Sequence, residues 1–261
     1  MNYYTPKEIA SEFSAFGISK TKLPLVNFSL LAILGGCFIA FGGLLSLYVA
    51  GGMPGVLATN PGIVKFVAGA LFPVGLIMVS VAGADLFTSD CAAMTIPFME
   101  KKIKFRLVLK ILILSYVFNF IGTQIVAYYL SAEIGLLDSN PWKDYLHKMA
   151  NNKVNSDFYT IFIKGIAANW LVCLGTWMGF AGKDIASKAI GIWIPVMIFV
   201  SLGYEHSIAN MFFVPAAIYS GAAITWGSFI VNNLIPATLG NFVGGAVFVG
   251  MVYWRIYLKD K

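Results

Sequence analysis

Long apolar runs alternate with short polar breaks along the chain. Span 1, Asn27 to Val49, is uncharged and reaches the roughly 20 apolar residues that a helix needs to cross a bilayer. Its Gly35-Gly36 and Gly42-Gly43 pairs let a neighbouring helix approach closely, and Gly51-Gly52-Met53-Pro54-Gly55 ends it. Span 2 begins near Phe66, runs uncharged to Ala84 and meets Asp85-Leu86-Phe87-Thr88-Ser89-Asp90; a second apolar stretch, Cys91 to Met99, follows. The pattern predicts one crossing made of two half-helices around an irregular loop. Such backbone is tolerated at depth only against protein or a water-filled cavity. Span 3 is Ile111 to Leu130, and residues 131–158 read as a polar connection. Span 4 is Phe158 to Gly182. Span 5 starts near Ala189, breaks at Glu205-His206 and continues as Ser207 to Val214. Residues 216–236 read as a connection bearing glycine and asparagine, and span 6 runs from Ala237 to Trp254. The fold class predicted is an all-α polytopic membrane protein of six crossings, with spans 2 and 5 broken.

The ends of the chain differ from this core. In residues 1–26, Thr5-Pro6 is a helix start, and Ile9, Phe13 and Phe16 recur at helical spacing. The expectation is an amphipathic helix lying on the membrane surface. Residues 27–254 form the channel-like domain and 255–261 a tail. The opening residues lack an early apolar core, so no cleavable signal peptide is expected.

Composition agrees with the class. Of 261 residues 59% are hydrophobic and 11% charged, against about 25% charged in soluble domains. The net charge is +6, but its placement says more. The basic residues fall between spans without an aromatic-studded face, which argues against nucleic acid as a partner. Six crossings put both termini on one side of the lipid. Thirteen Lys and Arg lie on that side and five (Lys65, Lys143, Lys148, Lys153 and Lys164) on the other, so the positive-inside rule expects both termini in the cytoplasm. Cys37, Cys91 and Cys173 lie inside apolar runs, and His147 and His206 are far apart; no disulfide framework, metal site or cofactor is expected.

Spans 2 and 5 resemble each other. Phe72-Pro73-Val74 matches Ile194-Pro195-Val196, and Gly83-Ala84-Asp85 matches Gly203-Tyr204-Glu205. Three spans per half, about 27–130 and 158–254, would give the halves opposite orientations. Paired broken helices in an inverted repeat point to a substrate site near the midplane.

The chemistry concentrates at the breaks. Glu205 and His206 interrupt a stretch otherwise uncharged from Ala189 to Trp254, and an ionisable residue at that depth marks a functional site by default. The second half-helices, starting near Ser89 and Ser207, would aim free N–H groups and about half a positive charge at the middle of the fold. Thr88, Ser89, Ser207 and Asn169 add neutral donors. Small donors without a fixed strong charge suit a monovalent anion that must leave as well as enter. Burial favours a neutral His206, which can donate an N–H to an anion or hand over a proton. Asp85 and Glu205 would repel that anion; their symmetric places suit a supporting role, accepting backbone N–H groups of the broken loops. Lys153 and Lys164 would raise anion concentration at an entrance. Leu86, Phe87 and Phe199 beside the breaks, and Phe72, Leu76 and Leu202 higher in the same spans, would form two apolar collars that strip water.

These stretches carry a resemblance. Leu71-Phe-Pro-Val-Gly-Leu, Gly83-Ala-Asp-Leu-Phe-Thr-Ser, Asn169-Trp-Leu-Val-Cys-Leu, Gly203-Tyr-Glu-His-Ser-Ile-Ala-Asn-Met and Asn233-Leu-Ile-Pro-Ala-Thr-Leu-Gly-Asn resemble the formate/nitrite transporter family, including its hydrosulfide-channel branch. The resemblance implies an aquaporin-like protomer, a homopentamer with one pore per protomer, and a bacterial inner-membrane protein passing formate, nitrite, hydrosulfide or similar anions. It also implies that Thr88 and His206 are the central polar pair, Asn169 the pore asparagine and Lys153 the outer lysine. Leu86, Phe87 and Phe199 would be the cytoplasmic constriction and Phe72, Leu76 and Leu202 the outer one. The chain departs from the family in having Asp85 where Glu is common, Tyr204 where Phe is common, and Asp90 where Asn is common. The Thr88-Ser89-Asp90-Cys91 run looks more like the hydrosulfide branch than the formate branch. The rivals are a neutral-solute channel of the aquaporin type, whose paired Asn-Pro-Ala boxes Asn210-Met211 does not match, a membrane enzyme using Glu205 and His206 as acid and base, and a structural scaffold.

Overall fold

Thr5 starts the first helix, α1 (Pro6–Lys20), with a capping box: its hydroxyl accepts the Glu8 N–H, and the Glu8 carboxylate accepts the Thr5 N–H at 2.7 Å. The Thr5 backbone and hydroxyl hold Glu8 below the ordinary glutamate range. The computed structural model describes residues 3–259; residues 1, 2, 260 and 261, the extremities of the N-terminal segment and tail expected above, lie outside that range. Apart from one isolated backbone bridge between Tyr3 and Gly182, the regular structure of the described residues is helical.

Among the described residues, five helical segments are long and apolar enough to cross a membrane: α2 (Leu25–Gly51), α3 (Pro61–Ala82), α5 (Phe105–Ala132), α7 (Phe158–Ala181) and α10 (Trp226–Tyr257). Between them lie a short half-helix α4 (Phe87–Ala93), α6 (Trp142–Val154), α8 (Ile185–Ser201) and α9 (Ser207–Tyr219). Asp157 and Asp184 cap α7 and α8, accepting the Thr160 and Ser187 N–H groups at 2.9 Å.

The pattern of runs misplaces several boundaries. The polar connection after α5 contains a helix, α6, whose Leu146, Ala150 and Val154 are buried. The last helix starts at Trp226, inside the stretch expected to be a connection. Its Phe229–Leu234 segment is π-helical, just ahead of Pro236, which has no N–H to give to the helix. The second run begins at Pro61, earlier than expected, and reaches Ala82 as one span-length segment, and the half-helix α4 follows it after the break.

Helix α1 packs one face on the protein and leaves Lys7, Glu8, Glu12 and Ser19 exposed on the other. Ile9, Ala10, Phe13 and Gly17 are buried against protein. The Phe13 ring sits 5.8 Å from Trp177 and 5.1 Å from Phe180, and Gly17 lies on the Ala93 carbonyl, where a Cβ would not fit. The amphipathic face is real; its partner is the second turn of α4 and the end of α7.

Two close helix crossings frame the interior. Gly36 and Gly122 bring α2 and α5 into backbone contact, with Gly35 against the Asp85 carbonyl; Gly165, Gly240 and Gly244 bring α7 and α10 together in the same way. Each pair sits beside one of the two breaks. Gly83 (φ 80°) ends α3 and Gly203 (φ 70°) ends α8, both in the left-handed region that glycine tolerates without strain.

Candidate functional site

After each of these glycines the chain runs extended and then begins a new helix. Asp85 N–H bonds to the Leu31 carbonyl (3.0 Å), and Glu205 N–H reaches the Lys164 carbonyl (3.4 Å). One asparagine holds each break. Asn119 on α5 donates to the carbonyls of Ala32 (2.7 Å) and Asp85 (2.9 Å) and accepts the Phe87 N–H (2.9 Å). Asn241 on α10 donates to the carbonyls of Gly165 and Glu205 (both 2.8 Å) and accepts the Ser207 N–H (2.7 Å). In both places the amide satisfies backbone groups that the missing helical turn leaves unpaired. The sequence pattern does not single out Asn119, and Asn241 enters it only as the last residue of the stretch beginning at Asn233; neither is given a role at the breaks there.

The carboxylates do not accept the backbone N–H groups expected of them. Asp85 Oδ2 is paired with Lys20 Nζ at 2.7 Å and Oδ1 accepts the Ser115 hydroxyl at 2.8 Å. Glu205 Oε2 is paired with Lys153 Nζ at 2.9 Å and accepts from Asn210 (2.6 Å) and Asn233 (3.3 Å). Each break is thus closed by a lysine from a helix outside the five long ones, α1 or α6. The reason is charge: a carboxylate buried this deeply needs a cation or it does not stay ionised. Lys153, expected as a free charge at an entrance, is the partner of Glu205, with its side chain 14% exposed.

His206 and Thr88 meet. His206 Nε2 lies 3.0 Å from Thr88 Oγ1, joining the loop before α9 to the first turn of α4. His206 Nδ1 accepts the Ala209 N–H at 3.0 Å and so caps α9. A nitrogen that accepts carries no proton, so the ring is neutral with its proton on Nε2, which donates to Thr88. Phe199 lies over the ring, centroids 5.7 Å apart.

The other neutral donors divide. Both donated bonds of Asn169 end on carbonyls, those of Thr88 (3.1 Å) and Asn241 (2.6 Å). Ser89 is 3.1 Å from the Thr176 hydroxyl. The Ser207 hydroxyl, beside His206, is buried without a hydrogen-bond partner.

A cavity of about 550 Å³ opens on the Lys153 side, with His206 and Glu205 in its wall. Lys65, Lys148, Lys153 and Lys164 line it, and Phe72, Phe199 and Phe213 lie along it beside His206. Phe199, grouped by sequence with Leu86 and Phe87, packs edge-on against Phe72 at 5.8 Å. Leu202, expected beside Phe72 and Leu76, is 57% exposed and outside this cluster; it follows α8 on the turn into Gly203, where its side chain points outward. Phe213, unnoticed in the sequence, takes that place. On the Lys20 side Leu86 and Phe87 are buried, with Tyr116 4.9 Å from Phe87.

These features define a class: a multi-pass helical membrane protein in which two short helices start at buried breaks, meet at a polar centre and are reached through a lysine-lined cavity. A sequence model of the family described as Formate/nitrite transporter matches residues 7–255. The chain belongs to that family. It is 40% identical over 274 residues to a "Probable formate transporter" of Methanothermobacter thermautotrophicus, with 99% of each chain covered. It is 34% identical over 278 residues to the "Formate channel FocA" of Escherichia coli, covering 98% of this chain and 95% of that one. Among solved structures it is similar to an "FNT family ion channel" (TM-score 0.88, 27% identity, 95% and 98% covered) and to a "Pentameric formate channel with formate bound" (TM-score 0.78, 33% identity, 90% and 98% covered).

Proposed function

We propose that the protein is a channel for small monovalent anions of the formate class, with one pore in each protomer of a homopentamer. The observation that carries this reading is the contact of His206, in the wall of the lysine-lined cavity, with Thr88 behind it; the next residue, Ser207, has a buried hydroxyl without a partner. The formate channels among its relatives support the choice of anion and the pentamer.

On this reading α8 and α9 together make the sixth crossing, and the two halves form an aquaporin-like inverted repeat. Both termini face the cytoplasm, as the lysine and arginine count indicates, and the membrane is a bacterial inner membrane, as the family resemblance implies. The 27–254 channel domain then carries α1 on its cytoplasmic side. An anion collects in the cavity under the field of Lys65, Lys148 and Lys164. It sheds water against Phe72, Phe199 and Phe213 and accepts hydrogen bonds from His206 Nε2–H and the hydroxyls of Thr88 and Ser207. It leaves past Leu86 and Phe87. Because Nδ1 is committed to Ala209, the imidazole acts by donating a hydrogen bond and not by carrying a second proton.

Hydrosulfide remains a second substrate for testing, on the strength of Thr88-Ser89-Asp90-Cys91. The geometry favours formate over it: Asp90 is turned to Lys20 and the Cys91 thiol to the Phe87 carbonyl, so neither touches the His206–Thr88 contact. The test is uptake by proteoliposomes offered formate, nitrite, hydrosulfide, chloride or glycerol. The reading expects formate and nitrite to enter and glycerol to stay out. Entry of glycerol alone would favour the neutral-solute channel.

A further inference from the structure

The two breaks carry an acid, its lysine and a polar residue five positions on, but they differ in charge. Asp85 corresponds to Glu205, Lys20 to Lys153, and Asp90, five residues after its acid, to Asn210, five after the other. On the α9 side one lysine meets one carboxylate, and Asn210 bridges Glu205 to Asn233 as a neutral amide. On the α4 side the single ammonium of Lys20 meets two carboxylates, Asp85 and Asp90, and none of the three side chains is more than 4% exposed.

We propose that Asp85 and Asp90 together bind one proton, making the α4 break a buried proton-binding site that its counterpart lacks.

Three observations converge on it. With both acids ionised the cluster would hold a net negative charge away from water, which is strongly unfavourable; one proton makes it neutral, like the Lys153–Glu205 pair. Asp90 Oδ2 is buried and has no hydrogen-bond partner. The Asp85 and Asp90 carboxylates converge on the same Lys20 ammonium, acceptors both, so the missing element is a donor hydrogen. Asp85 Oδ1 is already occupied by Ser115 and Oδ2 by Lys20, which leaves Asp90 Oδ2 as the natural seat of the proton. A protonated Asp90 is neutral and, like the amide at Asn210, carries a donor, one hydrogen where the amide has two.

The surroundings supply no competing charge. Burial opposes the ammonium of Lys20, but Asp85 and then Asp90 outweigh it and hold its pKa above the usual lysine value. Cys91 and Cys173 are thiols bonded to the Phe87 and Thr88 carbonyls. Tyr116 shares its hydroxyl with Thr238, Glu100 is turned to Ser14 and Lys102, and His206 is neutral while it caps α9.

The site is independent of the transport reading. Infrared difference spectra of the full-length protein in liposomes, taken between neutral and alkaline pH, test it. At neutral pH the wild type should show the C=O stretch of a protonated carboxylic acid that shifts in D2O and disappears at alkaline pH. Labelling aspartate with carbon-13 at the side-chain carboxyl should shift the band, which assigns it without any variant. Asp90→Asn should abolish it, and Lys153→Met combined with Glu205→Gln should leave it. No such band in the labelled wild type, or a band that survives Asp90→Asn, would overturn the proposal.

Discussion

Asn119 and Asn241 make the same three hydrogen bonds in the two halves of the molecule. Each donates to the carbonyl of the acid at its break, accepts the N–H two residues further on, and donates to a carbonyl of the helix it crosses. The glycines at the α2–α5 and α7–α10 crossings make this reach short enough. The breaks are therefore fixed geometry, held from a neighbouring helix.

Asn241→Ala would leave the Ser207 N–H and the Glu205 carbonyl buried and unpaired, and would remove the bond that ties them to Gly165. Each orphaned group costs about 1–3 kcal/mol. Thermal unfolding in detergent should show a large loss of stability for Asn241→Ala and a similar one for Asn119→Ala. An unchanged melting temperature in either would mean that the breaks are held by something else.

Lys153 and Glu205 form a buried pair, so removing one partner is worse than removing both. Lys153→Met leaves Glu205 uncompensated and should destabilise the protein on the order of 3–5 kcal/mol. Lys153→Met combined with Glu205→Gln should recover most of that loss. If the double variant is as unstable as the single one, the two residues do not act as a pair.

His147 on α6 lies 2.8 Å from the Ser220 hydroxyl. Its pKa is lowered from the ordinary value of 6.5, first by burial and then by Lys143. A histidine whose folded pKa is depressed binds the proton better once released. The docking of α6 is therefore fully favoured above the ordinary histidine value of about 6.5 and weakens as pH falls below it. Hydrogen exchange of residues 142–154 should accelerate on acidification in the wild type, and His147→Gln should remove the pH dependence. Exchange that is flat with pH in the wild type would contradict this.

Much of this was legible in the sequence. Asp85 and Glu205 announce the breaks because a charge in an apolar run is rare, and Gly83 and Gly203 announce the turns beside them. The neutral state of His206 also followed from its depth, though its capping of Ala209 did not. What stayed hidden depends on contacts distant in the chain. Nothing near Lys20 shows that it reaches Asp85 and Asp90, and nothing in α6 shows that Lys153 reaches Glu205. Helix α6 was concealed by its polar face, and the start of α10 by glycine and asparagine, which a helix tolerates once π-helical turns and a close partner accommodate them. Phe199 and Leu202 lie three residues apart at the end of α8; one faces the His206 ring and the other points outward, a difference set by where the helix stops.

The central claim is that a neutral His206 at the Thr88 contact passes anions by hydrogen bonding. Formate influx into proteoliposomes, compared between wild type and His206→Asn, tests it most directly. Asparagine is a good N-cap and keeps α9 in place, but its shorter side chain does not reach Thr88. Loss of one hydrogen bond of about 1–1.5 kcal/mol in the centre predicts a roughly tenfold fall in flux. Formate influx in His206→Asn equal to the wild type, or no influx in the wild type, would contradict the account.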